Sequence, residues 1–156
     1  MKDAAEELMA AVDADYARLD AMRDESTAIA PAPGKWSPRE IIGHLVDSAI
    51  NNHVRIVRAQ LEDDMVFPGY DQERWVSMQR YRDRSWSELI SLWRALNSHI
   101  AMTVELIPLD VATRPRTRHN LDRIGWKTVP RDRPATLEYL VRDYIGHLRH
   151  HLAQIP

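Results

Sequence analysis

Residues 37–61 read Ser-Pro-Arg-Glu-Ile-Ile-Gly-His-Leu-Val-Asp-Ser-Ala-Ile-Asn-Asn-His-Val-Arg-Ile-Val-Arg-Ala-Gln-Leu. The opening has the grammar of a helix start. Ser37 is an N-cap, Pro38 takes the first helical position, where its missing N–H costs nothing, and Glu40 completes a capping box. Trp36 and Ile41 are spaced for a hydrophobic staple across that cap. Beyond it Ile42, Val46, Ala49, Ile50, Val54, Val57 and Leu61 recur at helical period and are expected to carry the buried face of one long helix, roughly 38–61.

The same period extends in both directions. Leu8, Val12, Leu19 and Met22 mark a first helix, roughly 3–25, which the run Ala30-Pro-Ala-Pro-Gly34 breaks. A third helix starts at a second capping box, Ser85-Trp-Ser-Glu88, and continues through Leu89, Leu92, Trp93, Leu96, Ile100, Val104 and Ile107 to Pro108. Thr136 caps a fourth, whose stripe is Leu137, Leu140, Val141, Tyr144, Leu148, Leu152 and Ile155. The connections 62–84 and 108–135 are long. Asp71 to Tyr81 has room for a short extra helix, and Trp126 to Val129 for a short extended piece. With no repeat and no competing strand pattern, the expected fold is an all-α four-helix bundle in one domain, 1–156. The short linker 26–36 implies that the first two helices are antiparallel neighbours. The 62–84 connection can travel the length of a helix, so the second and third can be parallel. That gives up-down-down-up with long crossovers, the fourth helix antiparallel to the second.

Composition narrows the chemistry. Of the 156 residues 44% are hydrophobic and 28% charged, the balance of a soluble globular domain. No run of about 18 apolar residues is present, so no membrane span is expected, and the acidic, polar start does not read as a signal peptide; the expected compartment is the cytoplasm. The absence of cysteine excludes disulfides, thiolate zinc sites, iron–sulfur clusters and a cysteine nucleophile. A formal net charge of −2 argues against a polyanion binder. Basic residues are nonetheless mostly arginine, with lysine only at 2, 35 and 127. Residues 113–133 gather Arg114, Arg116, Arg118, Arg123, Lys127, Arg131 and Arg133, which read as an anion patch or as a solvated loop or dimer rim. No nucleic-acid motif accompanies them, so no nucleic acid is expected as partner.

Histidine asks for chemistry. In Gly146-His147-Leu-Arg-His150-His151 the first and last histidines are four apart, about 40° from each other on one helix face, the arrangement that lets two imidazoles share a metal. His147 lies about 20° from Leu140, so the pair borders the buried stripe. His44, about 10 Å into the second helix, reaches the same layer if that helix runs antiparallel to the fourth. His53 turns to about the opposite face, His99 and His119 have no helical partner histidine, and His150 could replace either neighbour. Gly43 and Gly146 precede proposed ligands inside helices, at about 1 kcal/mol each relative to alanine; close approach of the two helix backbones would explain both. The expected metal ligands are therefore His44, His147 and His151. Three neutral imidazoles suit Zn, Ni or Fe(II) and leave a coordination position open. Asp47, Ser48 and Asn51 lie within about 60° of His44 and, with Tyr144 and His150, are the candidate catalytic groups. No organic cofactor site is apparent.

Two segments carry a family resemblance. Gly34-Lys-Trp-Ser-Pro-Arg-Glu-Ile-Ile-Gly-His-Leu-Val-Asp-Ser48 resembles the "W-S-x-x-E…H-L" start of the second helix in the DinB/YfiT-like metalloenzyme family. Thr136-Leu-Glu-Tyr-Leu140, leading into His147-Leu-Arg-His-His-Leu-Ala-Gln-Ile155, resembles that family's closing "H-x-x-H-H-x-x-Q-I". Tyr70 to Trp75 and Trp86 to Arg94 match more loosely. The resemblance implies a four-helix bundle holding a divalent metal on His44, His147 and His151. It also implies open metal positions, homodimers and, in several branches, S-transfer with low-molecular-weight thiols. Since the chain has no thiol, a small-molecule thiol would have to supply the sulfur. The expectation is a metal-dependent enzyme acting on a small molecule, thiol-dependent S-transfer ahead of hydrolysis. The alternative is a non-catalytic bundle with a structural metal or a small bound ligand.

Overall fold

The computed structural model describes residues 1–156. In chain order the helices are α1 (Lys2–Asp20), α2 (Asp24–Thr27), α3 (Pro38–Leu61), α4 (Gln72–Gln79), a 3-10 turn (Tyr81–Asp83), α5 (Trp86–Glu105), α6 (Leu109–Thr113), α7 (Leu121–Ile124) and α8 (Leu137–Leu152). There are no strands, only isolated bridges pairing Met65 with His119 and Arg116 with Ala135. The four long helices α1, α3, α5 and α8 form the bundle. The capping box is made as the sequence implies: Ser37 N–H donates to Glu40 Oε2 at 2.8 Å, while Ser37 Oγ accepts from Glu40 N–H at 3.4 Å.

Cross-helix bonds fix the directions. Trp86 Nε1, at the start of α5, donates to Leu19 O at the end of α1 (2.9 Å), so these two run antiparallel. His53 of α3 stacks on His99 of α5 (centroids 4.7 Å), each more than halfway along a parallel pair. At the Leu19 end of the bundle Arg18 of α1 donates to Leu152 O, Ile155 O and Pro156 O (3.1, 2.9 and 3.0 Å), and toward the other end Arg142 of α8 pairs with Glu7 of α1 (3.2 Å). Thus α1 and α8 are parallel, and the order is up-down-down-up.

The neighbour relation differs from the expected one. α1 packs on α5 and α8, α3 packs on the same two, and α1 and α3 face each other antiparallel across the diagonal. The linker is long enough for this because α1 stops at Asp20 and the chain re-forms a single turn, α2. Buried Arg39 at the start of α3 clasps that turn, donating to Thr27 Oγ1 (2.9 Å), Asp24 O (3.0 Å) and Asp24 Oδ2 (2.7 Å).

The buried stripe of α3 is also rotated from the expected one. Ile42, Leu45, Ala49, Ile56 and Ala59 are fully buried, whereas Ile50, Val54 and Leu61 are 45%, 50% and 83% exposed. A helix apolar over so wide an arc leaves its facing direction to its neighbours, and packing between α5 and α8 selects the Ile42–Ala59 line. Leu8, Leu19, Ile90, Trp93, Ile100, Ile145 and Leu148 complete the core. α8 finishes at Leu152, before Ile155, as the chain turns to present carbonyls to Arg18. Trp126 to Val129 is not an extended pairing segment: Trp126 N–H and Lys127 N–H instead donate to the Asp143 carboxylate, each at 2.8 Å.

The two helical glycines have a different cause from backbone approach. A Cβ on Gly43 would overlap the Tyr81 ring, and one on Gly146 would come within 2.7 Å of Trp126 Cζ3. Each glycine opens a notch for an aromatic side chain from a crossover. Gly43→Ala gains about 1 kcal/mol of helix propensity but overpacks the notch. A net loss of about 1 kcal/mol or more is expected in urea denaturation. The same substitution in a Tyr81→Ala background should be stabilising. A stabilised single variant would contradict the packing.

Candidate metal centre

The antiparallel contact of α3 with α8 brings His44, His147 and His151 together. One ring nitrogen from each lies within 4.8 Å of the others. His44 Nε2 and His147 Nε2 are 3.2 Å apart. Two nitrogens bound to one tetrahedral ion at about 2.0–2.1 Å each would be separated by about 3.3 Å. The rings meet edge to face, His44 and His147 each 4.6–4.7 Å from His151 between centroids. Trp36 covers the cluster at 5.0 Å from His44 and 6.2 Å from His151, so the residue expected as a staple also roofs the site.

The electrostatics favour neutral rings. Burial pushes the His44 and His147 imidazoles down to about 3 and His151 to about 4, and the neighbouring histidines add to each shift. Desolvation disfavours the imidazolium form, and neutral imidazole is the form that binds a metal. His44 Nδ1 and His151 Nδ1 are buried without a protein partner. His147 Nδ1 lies 3.4 Å from Ser48 Oγ, which also accepts from Asn52 Nδ2 at 3.2 Å. The donor set and the spacing both fit a divalent cation.

The cluster opens into a cavity of about 490 Å³, within the usual range for small-molecule sites. One wall comes from the first crossover through Gly69, Tyr70 and Gln72, the other from the second through Arg123 to Trp126. Of the sequence-derived candidates, Ser48, Tyr144 and His150 line it and Asp47 and Asn51 do not. Asp47 is buried on the other side of α3. Its Oδ1 accepts from Tyr81 Oη (2.8 Å) and Gln79 Nε2 (2.7 Å), and burial raises its pKa. Asn51 turns back to its own helix and donates to Asp47 O at 2.8 Å. Tyr144 contributes wall rather than a reactive hydroxyl, since its Oη donates to Asn97 Oδ1 at 2.5 Å. His150 lies outside the three-histidine group, its ring 5.5 Å from Trp126 and its Nε2 3.0 Å from Gln154 Nε2. His119 braces the second crossover internally through Arg133 O (2.7 Å), and His53 and His99 pair away from the cavity.

Sequence reasoning passed over Asn52, Arg55, Tyr70 and Asp143 as site residues and named Arg123 only as part of the arginine-rich connection; all five line the cavity. Arg55 carried a readable signal. It is eleven residues after His44, about 20° away on the same helix face. In the arginine-rich connection Arg114, Arg118 and Arg131 pair with Asp63, Asp64 and Asp122 (3.2, 2.9 and 3.4 Å). Arg116 is buried and donates to Ala59 O at 2.7 Å. Much of the positive charge there is thus internally engaged.

Comparison with known proteins agrees with this architecture. Two candidate metal-dependent hydrolases of Oceanobacillus iheyensis are 28% and 35% identical over 57 and 48 residues, 36% and 31% of this chain. Those matches span only 33% and 28% of the relatives' own lengths. YfiT of Bacillus subtilis, also named as a candidate metal-dependent hydrolase, is 25% identical over 137 residues, 88% of this chain and 71% of its own. The solved structure of B. subtilis YfiT, described as a four-helix bundle of unusual topology, superposes with a TM-score of 0.79 at 21% identity. It covers 99% of this chain and 83% of that one. The model of the DinB superfamily matches residues 7–155, and the chain belongs to that superfamily.

Proposed function

We propose that the chain is a metal-dependent hydrolase of a small molecule, with His44, His147 and His151 holding a divalent ion at the base of the cavity. The observation that carries this reading is the buried group of three neutral imidazoles opening onto a space of about 490 Å³. A bound divalent ion there supplies Lewis acidity and lowers the pKa of a water or thiol that it binds. The residues of the chain do the rest. Ser48 orients His147 through Nδ1, Trp36 keeps bulk water from the far side of the cluster, and His150 at the rim is the candidate proton carrier. No fourth His, Asp, Glu or Cys joins the group, which leaves room for substrate and disfavours a closed structural site. Thiol-dependent transfer is the second reading. The absence of cysteine favours it only in that any sulfur must arrive with a small thiol. A second copy of the chain is the proposed protein partner, seated on the exposed apolar line Ile50, Val54 and Leu61 of α3.

Elemental analysis of the native protein, followed by uptake from Zn, Ni or Fe(II) solution, should give about one equivalent per chain. His147→Ala should remove the ion and lower turnover about a hundredfold or more while the bundle stays folded by circular dichroism. Ser48→Ala should weaken metal binding about tenfold. Less than about a tenth of an equivalent under every condition would refute the centre. Assays of ester and amide hydrolysis with and without added small thiols separate the two reactions.

The metal-free protein should show a defined pH dependence. The three imidazoles titrate at about 3 to 4 when folded and near 6.5 when unfolded. Below about pH 6.5 the unfolded chain therefore binds more protons. Stability should be fullest above pH 6.5 and fall as pH drops toward 4. The decline should be shallower in His147→Gln. Equal slopes in urea titrations of the two proteins would contradict the burial of neutral His147.

A further inference from the structure

Arg55 is the buried charge that the metal centre does not use. It is 7% exposed and lines the same cavity as His44 and His147. Its guanidinium donates to Pro68 O at 3.1 Å and reaches Asn52 Oδ1 only at 3.4 Å, and no carboxylate lies within 4 Å of it. The other two buried arginines are better satisfied. Arg39 has the Asp24 carboxylate at 2.7 Å, plus Thr27 Oγ1 and backbone carbonyls. Arg116 lies away from the cavity and has the carbonyls of Ala59, Arg114 and Val111, although its Nε is buried without a partner. A guanidinium stays charged in a protein and offers five N–H donors. Removing it from water with so few acceptors is costly unless an anion completes its shell.

The rest of the cavity does not neutralise it. Asp143 is the only carboxylate in the lining, and both its oxygens are taken by Trp126 N–H and Lys127 N–H at 2.8 Å. Arg123 stands exposed at the mouth, also with no carboxylate within 4 Å, so the lining holds two guanidiniums against the single Asp143 carboxylate, which pairs with neither. Tyr70, Gln72 and Asn52 add neutral polar groups.

We infer that the cavity takes a small molecule bearing a carboxylate or phosphate group, gripped by Arg55, with Arg123 steering it at the mouth and its other end at the three histidines. Placement of the reacting end rests on the proposed metal-centre reading; the anion subsite itself uses no metal ligand. Although the Cα atoms of Arg55 and His44 are about 16 Å apart by helical rise, the Arg55 guanidinium reaches back along α3 to Asn52, whose amide bonds Ser48 beside His147, so a compact substrate spans the anion subsite and the histidines. The planar fork of arginine pairs two-pronged with either oxyanion.

Calorimetric titration of succinate and of inorganic phosphate into metal-free and metal-loaded protein tests this, with metal content measured on each sample. At least one anion should bind saturably to both forms, and the tighter of the two identifies the source of the oxyanion. Arg55→Met should weaken that binding by about tenfold or more at unchanged metal content. Arg123→Ala should weaken it less and flatten its salt dependence. If Arg55→Met does not fold, Arg55→Lys, which keeps the charge without the fork, should still lose about threefold or more. Absence of saturable binding of either anion to the wild type overturns the inference, as does wild-type affinity in a folded Arg55 variant. Anion binding that depends on Arg55 in a protein that takes up no metal sustains the subsite and refutes the hydrolase reading; normal metal uptake with no anion binding does the reverse.

Discussion

Three imidazoles share one poorly solvated space between α3 and α8, and burial favours the neutral form of each. Charging any of them would place an imidazolium about 5 Å from two other rings in a poorly solvated pocket. Much of the neighbourhood serves this constraint. Trp36 closes one side, Ser48 fixes the orientation of His147, and the notches at Gly43 and Gly146 let Tyr81 and Trp126 pack flush against the helices that carry the histidines. The antiparallel direction of α3 and α8, which the long second crossover permits, sets the depth at which they meet.

What could be read in the sequence was what local rules determine. The Ser37–Glu40 capping box, the helix starts at Ser85 and Thr136, and the four-residue spacing of His147 and His151 follow from geometry within one or two turns. Only one further step, matching depth across antiparallel helices, was needed to add His44. The readings that failed each required knowing what packs from elsewhere. The space beside Gly43 is filled by a residue 38 positions away, so helix–helix approach was the wrong cause. Ile50 and Val54 are as apolar as Ile42 and Leu45, and only the neighbours of α3 decide which pair is covered. Asp47 lies about 60° from His44, an angle at which a short side chain can turn to either side of the helix. Here Tyr81 and Gln79 draw it away from the histidines. Arg55 was within reach of the same helical wheel but was not singled out, because burial cannot be read from residue type.

The bundle and the crossovers divide the work. The bundle supplies the histidines, Ser48, Asn52 and Arg55 from regular helices, whose backbone geometry is tightly specified. The crossovers supply Gly69, Tyr70, Gln72 and the Arg123–Trp126 wall from loops and the short helices α4 and α7. A four-helix bundle with short loops would present the same histidines on an open flank. The length that makes up-down-down-up topology workable is also the length that encloses the site.

The two crossovers are stitched to one another. Met65 N–H donates to Arg118 O at 2.9 Å and Asn120 N–H to Met65 O at 3.2 Å. The Asn120 side chain bonds both backbone groups of Phe67, at 3.1 and 2.8 Å. Both walls therefore behave as a single panel fastened over a rigid frame, and the panel can be re-cut without loosening the frame. A lineage could exchange cavity-facing positions such as Gly69, Gln72 and Arg123 to admit a new substrate while Phe67, Leu121 and Trp126 keep the panel fastened beside the three imidazoles. Such a division lets substrate choice drift quickly among proteins that keep one unchanging set of histidines.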